Sequence, residues 1–131
     1  MFLDTSGLLC CLDRREYDHA PAVEFMKIAD WRVTHNLVLT ELIALANKRG
    51  LNRKRVQQFT IDLQESPATD VVFVNEEIHD LAMQHLGERL DKEWSLCDAV
   101  SFLLMRESRI QDALTTDHHF EQAGFRRLLR P

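Results

Sequence analysis

Short apolar or β-branched runs alternate along this chain with longer stretches of helical periodicity, and that alternation constrains the fold more than any other feature. The short runs fall at Met1 to Leu3, Trp31 to Thr34, Asp70 to Val74, Ala113 to Thr115 and Phe125 to Leu128. Between them, apolar residues recur every third or fourth position: Val56, Phe59 and Leu63; Ile78, Leu81, Ala82 and Leu86; Leu96, Ala99, Val100, Leu103 and Leu104. Such spacing places one apolar stripe along each helix. The predicted helices are Ser6 to Leu12, Asp18 to Ala29, Asn36 to about Arg49, Asn52 to Glu65, Glu76 to Leu90 and Leu96 to Arg109, with a last turn at His119 to Ala123. Asn36 is placed to cap its helix, Gly50 to end it, and Pro67 to stop the next. Strands alternating with helices point to an α/β fold: a three-layer sandwich with a central, mostly parallel sheet of four to five strands flanked by helices.

The size allows one core. With 131 residues, 45% of them hydrophobic and 28% charged, the chain is expected to be a single domain spanning 1–131. No apolar stretch approaches the roughly 20 residues of a membrane span; even Ala99 to Met105 is interrupted by Ser101. Asp4 closes the first apolar run after three residues, which argues against a secretory signal and for a cytoplasmic protein. Cys10, Cys11 and Cys97 are an odd set without CxxC spacing, expected to be reduced thiols. A formal net charge of −5 opposes passive adhesion to nucleic acid, so any such role must rest on local basic patches or on metal.

Four acids share one expected location. In a parallel sheet, ligands bind beyond the carboxyl ends of the strands. Asp4 follows the first strand and Asp117 the strand at Ala113 to Thr115, so both lie on that edge. Glu41 lies in the first turns of the helix after the second strand. The helix carrying Asp98 at its start feeds a strand that begins on the opposite edge, so its start belongs to the carboxyl edge as well. Close convergence further requires the first and penultimate strands to be neighbours. Four carboxylates brought together repel one another, by roughly 1 kcal/mol per pair at about 4 Å in water and about 4 at an effective dielectric of 20. Hard divalent cations with oxygen ligands relieve that repulsion, and the chemistry they imply is phosphoryl transfer to water.

The blocks Phe2 to Ser6 (FLDTS), Asn36 to Glu41 (NLVLTE), Ser95 to Met105 (SLCDAVSFLLM) and Ala113 to Phe125 (ALTTDHHFEQAGF) resemble those of PIN-domain ribonucleases, closest to the VapC-like toxins of toxin–antitoxin pairs. The resemblance spans nearly the whole chain. It implies a PIN-like fold and a metal-dependent endoribonuclease using Mg²⁺ or Mn²⁺. Asp4 and Asp98 would be the principal metal ligands, with Glu41 and Asp117 completing the centre and Thr5, Ser6 and Thr116 hydrogen-bonded around them. It also implies single-stranded or structured RNA as substrate, a homodimer, and a small antitoxin as partner. Two departures stand out: only three residues precede Asp4, and Cys97 sits where the family often has Thr or another small residue.

Plainer roles compete for the same residues. Asp4 and Asp117 could each cap a helix, and Ser95 with Asp98 matches a capping box. Glu41, on an apolar segment, is expected to be buried only if paired or ligating. His118 and His119 lack HExxH or Cys/His spacing, and their side chains are expected to diverge. Arg14, Arg15, Lys48, Arg49, Arg53, Lys54 and Arg55 are candidate RNA contacts, and a solvated hairpin tip explains them equally well. A receiver-like phosphorylation switch would need a paired acid after the first strand and a late lysine; here Thr5 follows Asp4 and the last lysine is Lys92. A non-catalytic PIN-like scaffold binding RNA or protein is the remaining alternative.

Overall fold

A computed structural model describes residues 1–130. Among these residues the elements run β1 (Phe2–Leu3), α1 (Thr5–Leu12), α2 (His19–Ile28), β2 (Arg32–His35), α3 (Asn36–Lys48), α4 (Arg53–Glu65), β3 (Thr69–Val72), α5 (Glu76–Glu88), α6 (Leu96–Glu107), β4 (Asp112–Leu114), α7 (His119–Gln122) and β5 (Arg126–Arg127). The strands form one sheet in the order β3-β2-β1-β4-β5, every pair parallel. The helices flank it in two packed groups, α1 to α4 and α5 to α7.

The chain builds outward from β1 through β2 to β3, then crosses back to place β4 and β5 on the other side. The order therefore reverses between β1 and β4, where Phe2 pairs with Ala113 and Leu3 with Leu114. This is the adjacency that the acids need. Phe2 and Leu3, both fully buried, anchor the centre of the sheet, and Phe102 of α6 meets Phe120 of α7 edge-on at 5.0 Å between ring centroids. That contact seats α6 beside the loop that follows β4.

Several element ends differ from the expected boundaries, three of them for visible reasons. Asn36 does not cap α3: His35 holds the cap position without a side-chain bond, and Asn36 Oδ1 accepts instead from the Val74 N–H at 2.7 Å. The same bond explains why β3 ends at Val72 rather than Val74, because the Val74 donor is spent on a side chain and not on the ladder. The helix expected to reach Arg109 stops at Glu107; Arg109 has φ 56° and Ile110 N–H closes back on Met105 O at 2.8 Å. No helix among the described residues is long and apolar enough to cross a membrane.

Candidate active site

Asp4, Glu41, Asp98 and Asp117 all line one cavity of about 190 Å³, together with Thr5, Ser6 and Thr116. Asp4 stands between the end of β1 and the first residue of α1, only 6% exposed. Its side chain caps nothing in the helix. Asp4 Oδ2 instead accepts from Thr115 Oγ1 at 2.7 Å and from Ser6 Oγ at 3.2 Å. Burial pushes the Asp4 carboxyl up to about 7, opposed by the Thr115 hydrogen bond and reinforced by the negative charge of Asp98 nearby.

Asp98 both caps its helix and lines the cavity. It completes the capping box with Ser95, accepting from Ser95 N–H at 3.1 Å while its own N–H donates to Ser95 Oγ at 3.0 Å. The same Oδ2 lies 3.1 Å from His119 Nδ1. Asp117 lines the cavity and holds the same histidine: its Oδ1 accepts from His119 N–H at 2.9 Å, and its Oδ2 lies 3.4 Å from His119 Nδ1. His119 therefore stands between two of the four acids.

Several expectations change at this level. Glu41 is exposed, so the argument from burial fails for it; it reaches the cavity from the solvent side, beside the Cys97 thiol. Burial pushes that thiol above its usual range, and Glu41, Asp4 and Asp98 add to the effect. The hydroxyl that grips Asp4 belongs to Thr115, not Thr116, whose N–H donates to Ser6 Oγ at 3.0 Å. Thr5 Oγ1 is buried and has no hydrogen-bond partner at all. The histidines do not diverge: their rings lie 4.6 Å apart, and Asp117, His118 and His119 offer ligand atoms all within 4.8 Å of one another at the rim. The basic run also divides. Arg49 lines the acidic cavity, Lys54 and Arg55 line a groove with Cys11 and Leu12, and Arg53 lines a hollow with Ile43 and Asn47. Arg15 is turned onto Asp13, Arg14 is exposed and Lys48 is exposed.

Sequence reading missed Thr115 and Glu16, a further acid on the cavity wall, and set His119 aside. Thr115 had a signal, since it closes an expected strand two residues before Asp117; the others depend on tertiary packing. The donor set suits a hard divalent cation. It offers carboxylate oxygens, two of them on buried aspartates, and an orphaned buried hydroxyl on the same wall.

A PIN-domain family model matches residues 1–126, and the chain belongs to the PIN-domain family. Within it, the 23S rRNA-specific endonuclease VapC20 of Mycobacterium tuberculosis is 36% identical over 93 residues, 71% of this chain and 70% of that protein, in both strain CDC 1551 and strain H37Rv. The crystal structure of M. tuberculosis VapC20, a Sarcin-Ricin loop cleaving toxin, matches with a TM-score of 0.87 at 28% identity over 99% of this chain and 98% of that one.

Proposed function

We propose that this protein is an endoribonuclease that hydrolyses RNA phosphodiester bonds with Mg²⁺ or Mn²⁺, acting as the toxin of a toxin–antitoxin pair. The observation that carries the reading is the convergence of Asp4, Glu41, Asp98 and Asp117 on one cavity with the unpartnered Thr5 hydroxyl. The names of the relatives support it, and make structured ribosomal RNA the first substrate to test. Cytoplasmic location, a homodimer and a small antitoxin belong to the same reading. A non-catalytic scaffold has little reason to gather four acids on one cavity.

Asp4 and Asp98 would hold the cation most directly, with Glu41 and Asp117 completing the set. A divalent ion there supplies an activated water and neutralises charge on the phosphate. The chain supplies the rest. Thr115 and Ser6 fix one Asp4 oxygen, and the other takes no side-chain hydrogen bond among the described residues. Ser95 and His119 restrain Asp98 Oδ2 in the same way. Thr115 Oγ1 also accepts the Asp117 N–H at 3.0 Å, so one hydroxyl couples the acids at the ends of β1 and β4. These bonds preorganise the carboxylates, so that little of the binding energy goes into orienting them.

The test is incubation of purified protein with ribosomal and total cellular RNA plus Mg²⁺ or Mn²⁺, with EDTA and Asp98→Asn as controls and mapping of new ends. Discrete cuts that vanish in EDTA and in the variant are expected. RNA binding without products, in a sample shown by mass to lack a bound partner, would overturn the nuclease reading and favour the scaffold.

A further inference from the structure

The cavity wall carries one basic side chain among the described residues, Arg49, and it is already occupied. Arg49 sits at the carboxyl end of α3. Its Nη1 pairs with Glu16 and lies 3.5 Å from Asp13 Oδ2. Asp13 is buried yet does not depend on Arg49, because Arg15 satisfies it through its N–H at 3.0 Å, Nε at 2.9 Å and Nη2 at 2.9 Å. Glu16 differs: Arg49 is its one salt-bridge partner among the described residues, and its side chain, on the cavity wall, keeps 29% exposure. Asp13 and Arg15 cancel each other, and what is left is one Arg–Glu pair beside Asp4, Glu41, Asp98 and Asp117.

We propose that Arg49 anchors a backbone phosphate of the RNA next to the scissile one, and that Glu16 is its resident competitor, holding the guanidinium until that phosphate displaces it. The inference rests on the ribonuclease reading above. A guanidinium fork binds carboxylate and phosphate in the same geometry, so one anion replaces the other without rebuilding the site. A half-exposed ion pair contributes little net stability, so the exchange is cheap, and Glu16 can turn to solvent from the short segment between α1 and α2. Arg15 cannot substitute, being bound to Asp13, and Lys54 and Arg55 line a different groove. Glu16 thus screens the cavity against casual anions, and a ligand must bring a phosphate to the position of Arg49 to enter.

The experiment measures the dissociation constant of a fluorescent single-stranded RNA oligonucleotide in EDTA, so that binding is read without cleavage. Wild type is compared with Glu16→Gln, Arg49→Gln, Arg49→Lys and the double variant Glu16→Gln/Arg49→Gln. Glu16→Gln is expected to bind about fivefold more tightly, a gain that a damaged fold does not produce. Arg49→Gln is expected to bind about fivefold more weakly, with the slope of log affinity against log salt shallower by about 0.7, while Arg49→Lys keeps the slope. In the Arg49→Gln background, Glu16→Gln is expected to add nothing. Unchanged or weaker binding by Glu16→Gln overturns the proposal, as does an equal gain in the double variant, or no measurable binding by either wild type or Glu16→Gln. Because this arm contains no metal, its failure is separate from that of the nuclease reading, which the metal-dependent cleavage assay decides.

Discussion

Asp4 is 6% exposed, and burial sets its carboxyl at about 7 in the metal-free protein against 3.8 as an ordinary aspartate. A folded value above the unfolded one means that the acid costs nothing below the unfolded value and its full amount above the folded one, up to roughly 4 kcal/mol here. Asp4→Asn should therefore raise the denaturation midpoint in EDTA at pH 8, with the advantage over wild type shrinking as the pH falls from about 7 towards 4. The same variant should lose metal-dependent cleavage. Denaturant titrations across that pH range check the first half, and a variant less stable than wild type at pH 8 contradicts it. The four acids were legible in the sequence because each is tied to a strand or helix end. Their partners were less so: Thr115 and Thr116 are chemically alike, and only the path of the chain as it leaves β4 decides which hydroxyl meets Asp4. His119 reaches Asp98 only because Phe102 and Phe120 pack α6 against α7.

At the scale of elements, two contacts hold the site's supports together. Gly7 lets α1 lie against β4: a Cβ there would sit 2.0 Å from Leu114 O and 2.6 Å from Leu114 C, both backbone atoms that cannot rotate aside. Gly7→Ala should cost at least about 3 kcal/mol, measured by denaturant unfolding, since the helix must leave the strand that carries Thr115. The second contact ties β2 to α6 through His35 and Ser101. Ser101 Oγ donates to Cys97 O at 2.8 Å, so its 2.9 Å bond to His35 Nε2 requires the ring to carry its proton there. Burial pulls His35 down to about 4 from 6.5, the Cys97 carbonyl partly offsetting it. The unfolded chain then takes up the proton first, so stability is full above about 6.5 and falls as the pH drops towards 4. This slope opposes that of Asp4 over nearly the same window. Asp4→Asn in EDTA should expose it, losing on the order of 3 kcal/mol between pH 6.5 and 4, with His85, also lowered by burial, adding in the same direction. A flat profile in that variant would count against a neutral buried His35. The elements themselves were readable from periodicity. Their ends were not where side chains took backbone partners, as Asn36 does with Val74.

For the whole molecule, the decisive fact is the strand order β3-β2-β1-β4-β5. Periodicity announces strands and helices but not which strands are neighbours, because adjacency is settled by how the two helix groups cover the sheet. With β1 beside β4, the first residues of the chain and residues past 110 share one cavity, so a cation bound there would link its binding to global folding. An unfolded chain holds these carboxylates far apart and has little affinity for the ion. A ligand that binds only the folded state stabilises it by about 2.7 kcal/mol at a hundred times its dissociation constant, or roughly 10 °C in melting midpoint for a domain of this size. Mg²⁺ or Mn²⁺ should therefore raise the wild-type midpoint above that in EDTA, and Asp98→Asn should lose most of the rise while still folding. His118→Ala should keep it, since among the four acids His118 pairs only with Asp117 at the rim. If instead Asp98→Asn keeps the full rise and His118→Ala loses it, the ion sits at the rim trio of Asp117, His118 and His119, and the buried aspartates have another role.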